Sequence, residues 1–349
     1  MPTRALAACL TVALGLWAAP PARADASPGP CAPALAERIP QRSAAAPGVR
    51  AVLARLLGTE GEGREEVLRE QLLSGNIPGF LRHLRPVIFE GLVGGRKVTV
   101  TLCVAPDYLA IGSDQEFLRV PLGLPAALLV AERFGFLLPT RRMVDAIYAQ
   151  AAVHLAPQPL PAGPSMRSTG FLQLHDLLVD EQRARLGLGA DELTSGQKKD
   201  LVLTNRLRSE PGRVAIYGWH RGVGAPIQPL STVHGARYVD YSHGVRLVSG
   251  TAWVDGAPRS LAALLEDPAL AHMLSDEGAI PRVAALVASL ETSLETPPQA
   301  LAASCSNGSP GGSSRGCPQR ASASRARRAP ASGTSPGARA SGRTRTSSL

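Results

Sequence analysis

The chain reads as an α+β protein, a largely antiparallel sheet with helices packed on it. Three observations predict this class. Strand-like and helix-like segments come in blocks and not in strict alternation; Gly94-Gly95 joins two β-branched runs in the manner of a hairpin; and amphipathic segments flank those runs. Residues 35–73 read as helical, with Leu53, Leu56, Leu57, Val67 and Leu68 at mixed three- and four-residue spacing and a break at 58–63. Gly75-Asn76-Ile77-Pro78-Gly79 is a loop by its turn residues. The hairpin arms are 87–93 and 97–104, and 108–111 and 117–120 continue the β section. Helices follow over 125–134 and 141–151, the second with Thr140 as N-cap and Val144, Ile147, Tyr148 and Ala151 as its apolar face.

A Pro-rich connector at 157–164 separates an N-terminal part, 25–164, from a C-terminal part, 165–300. The second part opens with a helix over 171–186. Strands are expected at 201–204, 214–217, 245–248 and 251–254, the last two joined through Ser249-Gly250. Helices over 260–265 and 280–294 close it.

The two ends of the chain differ from this body. Arg4, the apolar run 5–19 and the small-x-small Ala22-Arg23-Ala24 have the three parts of a secretory signal, so 1–24 is expected to be cleaved. That run is shorter than the roughly 20 residues of a membrane-spanning helix. Leu6-Ala7-Ala8-Cys9 resembles a lipoprotein cleavage box but has no apolar run before it, which assigns Cys9 to the signal. The expectation is a periplasmic or extracellular protein without a transmembrane segment. Residues 301–349 hold eight Arg and no Lys, Asp, Glu or aromatic residue, a composition that predicts a disordered basic tail. It reads either as an arm for an anionic surface or as the product of a shifted reading frame in GC-rich DNA; 34 Arg against three Lys in the whole chain fit such a gene. Residues 25–300 carry 27 basic and 28 acidic side chains, a near-neutral balance that argues against a nucleic-acid partner. In an oxidising compartment the two cysteines of the body, Cys31 and Cys103, are expected to form a disulfide.

Aromatic residues are scarce, yet Tyr217, Trp219, Tyr238 and Tyr241 fall close together, with His220, His234 and His243 and several glycines among them. That mixture suits a concave site. Asp107 and Asp114 read as turn residues beside an apolar strand, and Lys198-Lys199-Asp200 as a solvated lead-in to the next one. His83, His154, His175 and His272 read as surface or satisfied positions.

Several segments carry a resemblance. The run from Lys198 to Leu207 (KKDLVLTNRL), Tyr217-Gly218-Trp219-His220, the run from Tyr238 to Arg246 (YVDYSHGVR), that from Ala105 to Asp114 (APDYLAIGSD) and that from Leu138 to Asp145 (LPTRRMVD) are similar to a family of exported bacterial proteins with no assigned activity. The resemblance spans roughly residues 75–275, leaves out the tail, and implies an exported folded unit without naming a reaction.

Three chemistries are open to the cluster. His220 and His234 with Asp240 or His243 would suit zinc, imidazole and carboxylate being its ligands. Ser231-Thr232-Val233-His234 with Asp240, and Trp219-His220, faintly resemble the pattern of zinc D-Ala-D-Ala peptidases. The His-to-Asp gap is one residue shorter, however, and the Trp-His pair precedes the first motif. Acid–base catalysis without metal would use His243 or His234 as base, Asp240 as its orienting carboxylate and a tyrosine or Ser231 as partner. On a regular strand Tyr238 and Asp240 share one face and His243 points to the other, so this needs a backbone turn, which Gly244 permits. No G-x-S-x-G elbow is present, which disfavours an α/β-hydrolase. The third reading is structural or recognitional, with Trp219, Tyr238 and Tyr241 as platforms and Arg246 as an anion clamp. The expectation carried forward is an exported hydrolase-like enzyme acting on a cell-envelope or extracellular polymer, its catalytic residues His220, His234, Asp240 and His243. The alternative is a non-catalytic protein that recognises glycan or peptide.

Overall fold

The structure, a computed structural model, describes residues 30–187 and 189–292. The expected signal segment and the basic tail lie outside the described residues. In chain order the elements are α1 (Val49–Leu56), α2 (Gly61–Leu73), β1 (Arg85–Val93), β2 (Arg96–Val104), β3 (Ala110–Gly112), β4 (Phe117–Arg119), α3 (Leu124–Phe134), β5 (Phe136–Leu137), α4 (Arg141–Gln150) and β6 (Val153–His154). After the Pro-rich connector come α5 (Thr169–Leu186), β7 (Thr194–Ser195), β8 (Lys199–Leu201), α6 (Arg206–Ser209), β9 (Ile216–His220), β10 (Pro226–Ser231), β11 (His243–Gly244) and β12 (Val248–Ser249). The series ends with β13 (Thr251–Val254), β14 (Ala257–Ser260), α7 (Leu261–Glu266), α8 (Ala271–Leu274) and α9 (Val283–Glu291).

The α+β class holds, and strand pairing is largely antiparallel; the pairs β8–β11 and β6–β7 are parallel. Gly94 and Gly95 have φ of 58° and 79°, the conformation that a two-residue hairpin turn demands, and they close β1 onto β2 with Val93 opposite Arg96. Thr140 caps α4 as expected, its hydroxyl accepting from the Met143 N–H at 3.2 Å. The larger sheet runs β14-β13-β2-β12-β5, with β1 on β2 as well. Strands from beyond the Pro-rich connector therefore pair directly with a strand from before it. One large apolar core follows, reaching from Val52 and Leu56 on α1 through Val100 and Leu102 on β2 to Leu286 on α9.

Cys31 and Cys103 are bonded, with Cα atoms 5.3 Å apart. Among the described residues no helix is long and apolar enough to cross a membrane.

Local expectations changed at the second half. The strands at 248–249 and 251–254 do not form a hairpin with each other. Both pair with β2, and β13 turns forward onto β14, a strand absent from the sequence reading that leads into the expected helix, α7, at its N-cap Ser260. The turn at Asp255-Gly256, both residues at positive φ, makes that forward hairpin. The two prolines of β10, Pro226 and Pro229, argue against a strand in the sequence; it lies at the edge of the smaller sheet, where proline is tolerated.

Candidate active site

The smaller sheet, ordered β10-β9-β8-β11, builds the site. Its register places Gln228 opposite Gly218, Gly218 opposite Lys199, and Lys199 opposite His243. A short β11 in parallel register thus brings a histidine alongside a lysine.

The loop before β11 supplies the carboxylate. Asp240 Oδ1 accepts from the Ser242 N–H at 2.8 Å and from the Ser242 hydroxyl at 2.5 Å, and the His243 N–H closes back on the Asp240 carbonyl at 3.2 Å. This Asx turn brings His243 to Asp240, so the two residues that a straight strand would part lie with Nε2 and Oδ2 3.8 Å apart. Gly244 has a different task from the one expected. A Cβ there would stand 2.5 Å from the Tyr108 ring and 2.8 Å from Lys198 Cβ, so glycine is needed for close approach and the turn comes from Asp240 itself.

Tyr238 donates its hydroxyl to Asp240 Oδ2 at 3.4 Å, and the half-buried His234 stacks on the Tyr238 ring, centroids 4.0 Å apart and planes 12° from parallel. Lys199 Nζ lies 4.8 Å over the Trp219 ring. Burial opposes the Asp240 charge, but the His243 ring, the Lys199 ammonium and the Ser242 hydrogen bonds outweigh it and hold the carboxyl below its usual range. Burial pushes His243 down to about 4 against the pull of Asp240, and neither ring nitrogen has a hydrogen-bond partner among the described residues. Burial, followed by the Asp240 charge, raises the Tyr238 hydroxyl, which keeps it protonated. His234, Tyr238, Asp240 and His243 are therefore brought together as expected, and Trp219 joins them through Lys199.

His220 is not part of this group. Gly218 and Trp219 both have positive φ, 109° and 58°, and for a residue as bulky as tryptophan that is a rare conformation. The Trp219 N–H reaches the Lys198 carbonyl at 3.0 Å and its indole N–H the Gln197 carbonyl at 3.1 Å, which hold the kink. Side-chain alternation is interrupted there, so Tyr217 and His220, three residues apart, meet the same atom of α4: Asp145 Oδ1 accepts from the Tyr217 hydroxyl at 2.7 Å and lies 3.0 Å from His220 Nε2. His220 also stacks on Tyr148 at 4.7 Å. The expected zinc triad of His220, His234 and Asp240 is accordingly corrected. Among the described residues no group of three or more His, Cys, Asp or Glu side chains is placed to hold a metal ion.

Two expected substrate contacts are structural instead. Arg246 is fully buried; it donates to the Ala105 and Thr194 carbonyls at 2.9 and 2.6 Å and stacks on Tyr108 at 4.2 Å, so it is no surface anion clamp. Tyr241 is tied to the Pro-rich connector: its hydroxyl accepts from the Leu160 N–H at 2.7 Å, and its ring lies 5.1 Å from His175 and 6.5 Å from Trp219.

The lysine pair is the main omission of the sequence reading. Lys198 and Lys199 are buried, not solvated; Lys198 donates to the Tyr241 carbonyl at 2.7 Å, and burial lowers it to about 8. Asp200 is buried as well and accepts from the Tyr108 hydroxyl at 2.9 Å, with burial lifting it to about 6. A signal was present. Two of the three lysines in a chain of 34 arginines stand side by side, which marks a place where an ammonium and not a guanidinium is required. Asp107, read as a turn residue, is the buried partner of Arg119 at 2.8 Å. His175 is buried and has no hydrogen-bond partner among the described residues for either nitrogen, contrary to the surface or satisfied position expected. Comparison with protein-family models, curated proteins and solved structures finds no match.

Proposed function

We propose that the chain is an exported hydrolase-like enzyme acting on a cell-envelope or extracellular polymer, and that its chemistry resides at Asp240. One observation carries the reading: a single buried carboxylate gathers a tyrosine hydroxyl, an imidazole and a lysine charge beneath a half-buried histidine. In this scheme His234 takes a proton from the attacking water, and the protonated Tyr238 hydroxyl gives one to the leaving group. Asp240 orients Tyr238, and Lys199 offsets negative charge that develops on the substrate oxygen. The Cys31–Cys103 bond supports export, because disulfides persist in oxidising compartments.

The second reading, recognition without catalysis, draws on the same His234–Tyr238 stack as an aromatic platform for a sugar ring. His234→Ala decides between them. With its side chain half-buried at the surface, the variant should melt within a few degrees of the native chain. Loss of at least a hundredfold in turnover of an isolated envelope polymer, with polymer binding retained, is the result expected for the enzyme. A native chain that binds polymer without turning it over, and loses binding in the variant, would establish recognition.

A further inference from the structure

A cavity of about 260 Å³ opens where the first turn of α2, the entry to α5 and residues 237–239 meet. Arg64, Arg167, Arg237, Ser168, Glu60 and Glu65 line it. Arg64 is only 5% exposed, and its Nη1 donates to the Arg167 carbonyl. Arg237 pairs with Glu62. Arg167 is at the surface, its guanidinium 5.9 Å from the centre of the Tyr238 ring. Two carboxylates share this wall. Glu65 Oε2 is engaged by the Gly123 N–H at 2.6 Å, and Glu60 is exposed at the start of α2 without a capping hydrogen bond. Burial, and then the Arg167 charge, lowers the Arg64 guanidinium against the pull of both glutamates. The first-turn N–H groups of α2 add positive potential at the same wall.

We propose that this cavity is a binding site for a carboxylate or phosphate group, clamped between Arg64 and Arg167. Guanidinium groups suit both anions because their donors match two oxygens at once. The position is informative. Arg237 and Val239 line the cavity, while the alternate residues Tyr238 and Asp240 belong to the candidate active site. One short segment is thus the wall between the two, and Arg167 spans it. The anion site stands on its own cavity and cations, whatever chemistry Asp240 performs.

Isothermal titration of the full mature chain with inorganic phosphate and, separately, acetate, at constant ionic strength, tests the assignment. Saturable binding of at least one anion is expected, weakened tenfold or more in Arg167→Ala, whose exposed side chain can be removed without loss of the fold. Arg64→Lys should weaken it too, and if that variant fails to fold, Arg167→Ala alone decides. Phosphate binding without acetate assigns a phosphoryl ligand, and the reverse a carboxylate. No saturable binding of either, or binding that Arg167→Ala leaves unchanged, overturns the site.

Discussion

At the scale of single residues, His243 shows how burial sets protonation. Its ring is enclosed and held at about 4, so it is neutral in the folded chain at neutral pH. In the unfolded chain it titrates near its ordinary value of about 6.5. Folded pKa below unfolded pKa means that the unfolded state binds the extra proton first. The stability is therefore full above about pH 6.5 and lost as pH falls towards 4, on the order of 3 kcal/mol in all. Asp176 and Asp200, each raised by burial to about 6, act in the opposite sense, losing stability as pH rises across the same window. The measurement is consequently a difference: in denaturant titrations at pH 6.5 and pH 4, His243→Asn should lose less stability than the native chain, by about that amount. Parallel profiles would mean that His243 is not a neutral buried ring.

At the scale of elements, β9 owes its side-chain placement to a local break in regularity. Gly218 at φ 109° lets the strand kink, and the kink turns Tyr217 and His220 onto Asp145 while Trp219 lies under Lys199. An alanine there has the wrong chirality for that backbone, and its Cβ would meet Asp200 Oδ2 at 3.3 Å and Val144 at 3.4 Å. Gly218→Ala should cost about 1–3 kcal/mol in chemical denaturation. Gly222→Ala, whose Cβ would meet nothing nearer than 4.0 Å, serves as the control and should fall within about 0.5 kcal/mol of the native chain. Equal effects at the two positions would mean that the kink carries no strain. The element also shows where pattern reading stops. A run such as Ile-Tyr-Gly-Trp-His announces a strand, but the alternation rule then assigns Tyr217 and His220 to opposite faces, and only the backbone dihedrals show that they meet.

At the scale of the whole molecule, buried ion pairs tie distant parts of the chain together. Arg119 on β4 bonds Asp107 at 2.8 Å, Asp176 at 3.0 Å and Asp180 at 2.8 Å, the last two on α5. Asp107 in turn accepts from Gln197 at 2.9 Å, two residues before Lys199. The network thus joins both sides of the Pro-rich connector and anchors the start of β8. Arg119→Met would leave the buried Asp176 without its bonded cation and Asp107 with Arg183 alone, a loss of about 3–5 kcal/mol that equilibrium unfolding would register. A change under about 1 kcal/mol would show that the carboxylates can take up protons at little cost. These pairs were invisible in the sequence because their partners lie 12 to 61 residues apart and each, taken alone, has the look of a surface or turn residue.

What the sequence determined by itself was local. Hydrophobic spacing, the Gly94-Gly95 turn and the Thr140 cap specify elements through neighbours a few residues away, and two cysteines in the body of the chain leave one simple pairing. The concentration of histidine and aromatic residues between 217 and 243 was equally legible, and it located four residues that do converge: His234, Tyr238, Asp240 and His243. Tertiary structure alone decided the rest. The parallel register of β8 with β11, the Asx turn at Asp240 and the kink at Trp219 determine which side chains share a volume; the register and the kink depend on contacts between segments far apart in the chain, and the turn is local but unannounced by the alternation of the run. Burial likewise changed Lys198, Lys199 and Arg246 from expected surface charges into interior groups, because desolvation and partner geometry belong to the packed molecule and have no counterpart in residue order.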